Sequence, residues 1–150
     1  MTTIERSGSF VVAEPPEVVE KFLADPERVA RCLPDTVESV TPADGDGGVR
    51  AVVVVGTPAV QTRLRLGIRL VDDGQGAIAY EGRGSAPRSH VEVAGTFAVE
   101  SVEDGTRVDW HGEARVGGLL DSFGRGVGRY DGIVERKIDA AVENVRGAVA

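Results

Sequence analysis

The feature that most constrains this chain is the alternation of apolar and polar residues between residues 36 and 116. Between residues 63 and 70, leucine or isoleucine occupies every second position, and arginine or glycine occupies the positions between them. Because successive side chains of a β-strand point to opposite faces, this pattern predicts antiparallel strands with one buried and one solvent-facing side. The apolar face of such a sheet must pack against another element of the chain.

Glycine- and aspartate-rich turns divide this region into six strands, because these residues favour tight turns. The strands are predicted at residues 37–41, 49–55, 63–70, 77–83, 90–100 and 107–116, and a seventh at 5–13 precedes them. Two short helices are predicted after the first strand. Pro15 and Pro16 end that strand and suit a first helical turn. Asp25 is a good N-cap for a second helix, which ends before Pro34.

After Gly117 and Gly118, apolar residues recur three or four positions apart from Leu120 to Val145, which predicts one long C-terminal helix. The first half of this segment carries glycines at positions 124, 126, 128 and 132. Each of them costs about 1 kcal/mol relative to alanine inside a helix. This half is therefore either irregular or shaped for close approach to another group.

Together these elements predict an α+β fold in which a curved, seven-stranded antiparallel sheet wraps around the long C-terminal helix. The length of 150 residues suits a single domain, residues 1–150. Such a domain builds its core without disulfides or metal. Small residues on the predicted inward face favour a cavity under the helix. They are Gly82, Gly95, Gly112 and Ala114.

The composition excludes several classes of function. There are 17 lysines and arginines against 24 aspartates and glutamates, and the net charge of −7 argues against binding to nucleic acid or anionic membranes. The lone Cys32 gives no disulfide framework and no thiolate zinc site. No signal peptide is predicted in the first residues, and no apolar run reaches the ~20 residues that cross a bilayer. We therefore expect a cytoplasmic protein with, at most, peripheral membrane contact.

No catalytic set, metal site or cofactor site is predicted. His90 and His111 fall on the charged faces of their strands, which favours solvated side chains over a metal or acid–base site. Cys32 has no histidine close by in the sequence, so a packing role is favoured over a nucleophile. The glycine-rich run at residues 124–129 lacks the spacing of a phosphate-binding loop. The predicted inward face carries no Asp, Glu, His or Lys.

An apolar pocket with a polar handle is what a hydrophobic ligand needs. The hydroxyl of Tyr80 or Tyr130 could supply that handle. The predicted lining of the cavity is Leu66, Ile68, Tyr80, Val93, Phe97, Trp110, Gly112, Phe123, Val127, Tyr130 and Val134.

Several segments resemble a known family. They are Asp-Pro-Glu-Arg at 25–28, Cys-Leu-Pro at 32–34, Gly-Thr-Pro at 56–58 and Val-Gly-Gly-Leu at 116–119. They resemble the family of carbon monoxide dehydrogenase G-subunit proteins, which belong to the START-like (SRPBCC) superfamily. The resemblance implies a helix-grip fold around a hydrophobic cavity. It also implies an accessory role, in which the protein recruits the dehydrogenase to the membrane and handles a hydrophobic molecule such as a quinone.

The leading hypothesis is a non-enzymatic carrier that binds a quinone or lipid beneath the long helix and serves a molybdenum-containing hydroxylase. One alternative is a polyketide cyclase-like enzyme of the same fold that uses the hydroxyl of Tyr80 or Tyr130. The other is an assembly factor whose interior is filled and whose outer face binds the dehydrogenase.

Overall fold

The computed structural model describes residues 2–33, 36–43, 48–56, 61–72, 74, 76–118 and 130–149. The elements in chain order are β1 (Thr2–Val12), α1 (Pro16–Leu23), α2 (Pro26–Ala30), β2 (Thr36–Pro42), β3 (Val49–Gly56), β4 (Gln61–Asp72), β5 (Ile78–Ala86), β6 (Ser89–Val102), β7 (Gly105–Gly118) and α3 (Tyr130–Val149).

The seven strands form one antiparallel sheet in the order β1-β7-β6-β5-β4-β3-β2. From β2 to β7 each strand pairs with the next one along the chain, and β1 closes the order by pairing with β7. The predicted seven-stranded antiparallel sheet with a C-terminal helix is confirmed. Most strands extend past their predicted ends, because backbone pairing continues where the apolar alternation has stopped. For example, β4 covers Gln61–Asp72 where residues 63–70 were predicted.

Both short helices begin where the proline and capping signals place them. Pro16 is the first residue of α1, and Asp25 caps α2 by accepting hydrogen bonds from the backbone N–H groups of Glu27 and Arg28. The apolar side of α1 carries Val19, which is fully buried. Local sequence therefore sets both helix starts, and burial of one face fixes them on the sheet.

Two hydrophobic clusters join the helices to the inward face of the sheet. In the first, α1 and the end of α3 pack on β1 and β7, around the fully buried Val108. In the second, Ala30 of α2 packs on β3, β4 and β5. Cys32 is buried in the first cluster, and burial raises the pKa of its thiol. The packing role predicted for Cys32 is therefore confirmed.

The C-terminal helix is described from Tyr130 to Val149, whereas the sequence predicted that it starts near Leu120. Residues 119–129 lie outside the described part of the chain. Near its end, α3 is tied to the segment after α2, because the side-chain amide of Asn144 donates a hydrogen bond of 3.0 Å to the carbonyl of Cys32.

Candidate functional site

The centre of the inward face combines a row of glycines with a row of aromatic rings. The strand register aligns Tyr80 with Gly95, Gly95 with Gly112, and Gly112 with Arg6. The neighbouring row contains Phe97 opposite Trp110, with Gly8 next to Trp110 on β1. The two aromatic residues therefore lie beside two strand positions that carry no side chain.

The residues predicted to line a cavity divide into three groups. Leu66, Ile68 and Tyr80 are buried in the second cluster, against α2. Val93, Phe97, Trp110 and Gly112 share the same face but stay partly exposed, although Val93 and Phe97 also pack against the second cluster. Phe123 and Val127 lie outside the described residues, and Tyr130 and Val134 lie in α3 where side chains are not described. The structure thus brings the sheet residues onto one face, and their role in binding a ligand stays a prediction.

The inward glycines do not all leave empty space, contrary to expectation. A Cβ at Gly82 would lie 2.5 Å from Cγ2 of Val93, so a neighbouring side chain already fills that space. At Gly112, a Cβ would lie 3.6 Å from Cγ2 of Ile138, because α3 packs there. At Gly95, the carbonyl oxygen of His111, 3.5 Å away, is the nearest described atom. Of the three positions, Gly95 is therefore the one that no described side chain covers, and we call it open in this sense.

Tyr80 anchors the sheet to α1. Its hydroxyl donates a hydrogen bond to the carbonyl of Leu23, at the end of that helix. Burial, with a smaller contribution from the charge of Asp25, raises the pKa of the Tyr80 hydroxyl far above its ordinary value. The hydroxyl proposed from the sequence as a ligand handle or catalytic group is therefore engaged inside the protein.

An ion pair between β1 and α3 was missed by the sequence analysis. Nη2 of Arg6 lies 2.8 Å from Oδ2 of Asp139, and Nε lies 3.4 Å from Oδ1. Arg6 lies opposite Gly112 on the inward side of β1, where it follows Ile4 by two positions. The two-residue spacing from Ile4 could have indicated that Arg6 faces inward. The strand was predicted to start at residue 5, so Ile4 was left out of the pattern. The pair joins the helix to the sheet beside the glycine row.

The two histidines lie on the outer face of the sheet, as predicted. Both are exposed, and the ring of His90 covers Gly117 of the neighbouring strand. Among the described residues, no three His, Cys, Asp or Glu side chains are grouped as metal ligands would be. No helix in the described part of the chain has the length and apolar character needed to span a membrane.

The sequence comparison decides the family. The pattern of the carbon monoxide dehydrogenase G subunit (CoxG) matches residues 8–150. The chain belongs to the CoxG family. Among curated protein sequences, none matches this CoxG chain.

Solved structures with the same fold cover nearly the whole chain. A conserved protein of Geobacillus kaustophilus is 20% identical with a TM-score of 0.75, and the match covers 97% of this chain and 95% of that one. The ZhuI aromatase/cyclase of Streptomyces sp. R1128 is 21% identical with a TM-score of 0.62, and the match covers 99% of this chain and 94% of that one. Ara h 8.0201 is 15% identical with a TM-score of 0.60, and the match covers 99% of this chain and 98% of that one. At these identities the similarity establishes the fold alone.

Proposed function

We propose that this CoxG-family chain binds an apolar molecule, a quinone or a lipid, between α3 and the inward face of the sheet. The observation that carries the proposal is the partial exposure of Phe97 and Trp110 beside the open position at Gly95. Protein interiors are close-packed, so aromatic surface left accessible on the core side of a sheet is unusual. Ligand pockets have this character: apolar and aromatic walls with few polar groups.

The chemistry of this surface suits a flat, apolar ring. Covering apolar surface is worth about 25 cal/mol per Å². Offset or edge-to-face contacts with aromatic rings add about 0.5–1.5 kcal/mol each. Phe97 and Trp110 are cross-strand neighbours, and the absence of a side chain at Gly95 lets a ring approach the backbone. A quinone ring or the acyl chain of a lipid fits this surface better than a charged metabolite does.

We assign the protein a non-enzymatic role. Two polar groups on the described inward face, the Tyr80 hydroxyl and the Arg6 guanidinium, are engaged with Leu23 and Asp139. A general acid or base must reach its substrate, and these contacts occupy both groups. Membership of a family named for a dehydrogenase component supports an accessory role. We therefore propose a molybdenum-containing hydroxylase as the partner and, at most, peripheral contact with the cytoplasmic face of the membrane.

The test is mass spectrometry of an organic extract from protein purified gently from its own host. We expect a stoichiometric quinone or lipid from the unaltered protein, and its loss in Gly95→Leu. Ala94→Leu is the matched control, because Ala94 is the adjacent residue on β6 and is exposed on the outer face. It should keep the ligand. Equal ligand content in both variants would place the binding surface elsewhere.

The rival functions give different results in the same set of measurements. Turnover of an aromatic polyketide, lost in Tyr80→Phe, would establish a cyclase. Two results together would establish an assembly factor. The extract would stay empty after menaquinone and lipid are added, and Gly95→Leu would not weaken capture of the dehydrogenase. Either result would overturn the carrier.

A further inference from the structure

The outer face of the sheet carries a ring of arginines around a glycine. Gly67 lies in β4, with Arg65 and Arg69 two positions before and after it. Across the strands, Arg50 of β3 and Arg83 of β5 are its direct partners. The four nearest outer positions around Gly67 are therefore all arginine, and all four side chains are exposed. We call this group the arginine cradle.

Three of the four charges in the cradle lack an ionic partner among the described residues. Nη2 of Arg69 lies 3.0 Å from a carboxylate oxygen of Glu81. Just outside the cradle, Arg63 pairs with Glu38 at 2.9 Å. Within the described ranges, Arg50, Arg65 and Arg83 make no ion pair with any carboxylate. The cradle thus keeps an excess of positive charge on a chain whose net charge is −7.

The residue at the centre of the cradle does not offset this charge. Both direct cross-strand partners of Gly67 are arginines, so a carboxylate at position 67 would lie between them. An acidic residue at position 67 would offset one of the three charges that lack a described ionic partner, and space is available for it. A Cβ there would come no closer than 3.9 Å to a described atom, the carbonyl oxygen of Arg83. Glycine instead leaves the floor of the cradle open, which favours occupation by an external anion.

The surroundings of the cradle match a small phosphorylated molecule. A depression of about 410 Å³ lies over β2, β3 and β4. Its lining includes the hydroxyl-bearing Ser39 and Thr41 together with Arg50, Arg65 and Gly67. Guanidinium groups bind phosphate oxygens in a bidentate manner, and hydroxyls add further hydrogen bonds. We propose that the arginine cradle binds the phosphate group of a soluble small molecule that carries two or more negative charges.

A soluble ligand fits better than an anionic bilayer. The outer face of the strands beyond β5 carries acidic residues, among them Glu5, Glu92, Glu100, Asp109 and Glu113. A flat anionic surface would meet these carboxylates at the same time as the arginines, and the repulsion would oppose docking. A small molecule over Arg50 and Arg65 contacts the cradle and the adjoining depression, away from Glu92, which lies opposite Arg83 on β6.

Isothermal titration of the full chain with inorganic pyrophosphate tests this proposal. We expect saturable binding that weakens at least tenfold in the Arg50→Gln/Arg65→Gln double variant and weakens as salt is raised, because salt screens exposed charges. Gly67→Asp should abolish binding by placing a carboxylate in the cradle. The control is Arg63→Gln, on the same strand and face but outside the cradle, which should keep the affinity within about twofold. Both substituted side chains are exposed and make no ion pair with a described carboxylate, so the double variant should melt close to the unaltered protein.

Three results would overturn the proposal. The first is the absence of saturable binding at pyrophosphate concentrations up to about 10 mM, a range in which a dissociation constant near 1 mM is readily measured. The second is an equal loss of affinity in Arg63→Gln, which would indicate general charge attraction. The third is binding to phosphatidylglycerol vesicles without binding to pyrophosphate, which would make a membrane the occupant. None of these results depends on the apolar ligand of the inward face.

Discussion

The inward face of the sheet is packed in two different ways. Around Val108, the end of α3 and the helix α1 pack on the sheet, and Val19 and Leu23 are fully buried. We call this the closed region. Around Gly95, the side chains of Phe97 and Trp110 stay partly exposed, and we call this the open region. Both regions carry the same alternation of residues, so the alternation does not decide which surface is covered.

The difference between the regions comes from what each strand position faces. In the closed region, large apolar residues of two helices meet large apolar residues of the sheet. In the open region, two glycines lie side by side across β6 and β7, and Ile138 covers one of them, Gly112. A closed region stabilises the fold, whereas an open region can bind a ligand. The following variants test this division.

The largest effect is expected from Leu23→Ala in the closed region. The change deletes a fully buried side chain and leaves the carbonyl that accepts the Tyr80 hydrogen bond. The free energy of unfolding should fall by about 3 kcal/mol, as for other large-to-small core changes. Urea denaturation followed by circular dichroism measures it. Val18→Ala, on the same helix but 46% exposed, should lower stability by less than about 0.5 kcal/mol. Similar losses in both variants would contradict the assignment of α1 to the core.

An intermediate effect is expected from valine at the inward glycines. Gly82→Val should cost about 1–3 kcal/mol by overpacking, since Val93 already occupies the space. Gly95→Val should cost less than about 1 kcal/mol, because the position is open and valine favours strands. Thermal melts of the two variants side by side give the comparison. If Gly95→Val lowered the melting temperature more than Gly82→Val, the space above Gly95 would be filled and the division into two regions would be wrong.

A somewhat smaller effect than that of Gly82→Val is expected from Tyr80→Phe, which removes one hydroxyl where the second cluster meets α1. The loss should be about 1–2 kcal/mol at neutral pH, because the buried carbonyl of Leu23 loses its donor. The folded state raises the pKa of this hydroxyl above its ordinary value of 10.0. The unfolded chain therefore releases the proton first, and the stability that Tyr80 contributes is present below about pH 10 and lost above it.

Denaturation curves between about pH 8 and pH 11 check this dependence. The stability difference between the unaltered protein and Tyr80→Phe should stay level up to about pH 10 and narrow above it. A difference that stays constant with pH would mean that the hydroxyl is not held protonated by burial.

Much of the fold could be predicted from local patterns. The alternation at residues 63–70 assigned Leu66 and Ile68 to the inward face, and the structure buries both. The prolines and Asp25 marked the helix starts, because capping depends on residues two or three positions away. The family was also recognisable from short segments. The ends of strands were less predictable, since backbone pairing does not require apolar side chains.

The candidate site was harder to predict because its contacts join distant parts of the chain. Tyr80 and Leu23 are 57 positions apart, and Arg6 and Asp139 are 133 apart. Nothing in either local sequence indicates its partner. The arginine cradle likewise depends on register, because Arg50 and Arg83 become neighbours of Gly67 only when β3, β4 and β5 are paired.

The sequence by itself determined which residues face inward, since that depends on the two-residue period of a strand. It also determined where α1 and α2 begin, and which face of the sheet is apolar and which is charged. The tertiary structure decided which inward surface is covered and which stays accessible. It filled the space above Gly82 with Val93, left Gly95 open and engaged Tyr80 with α1. The physical reason is that periodicity follows from neighbours along the chain, whereas packing follows from neighbours across it.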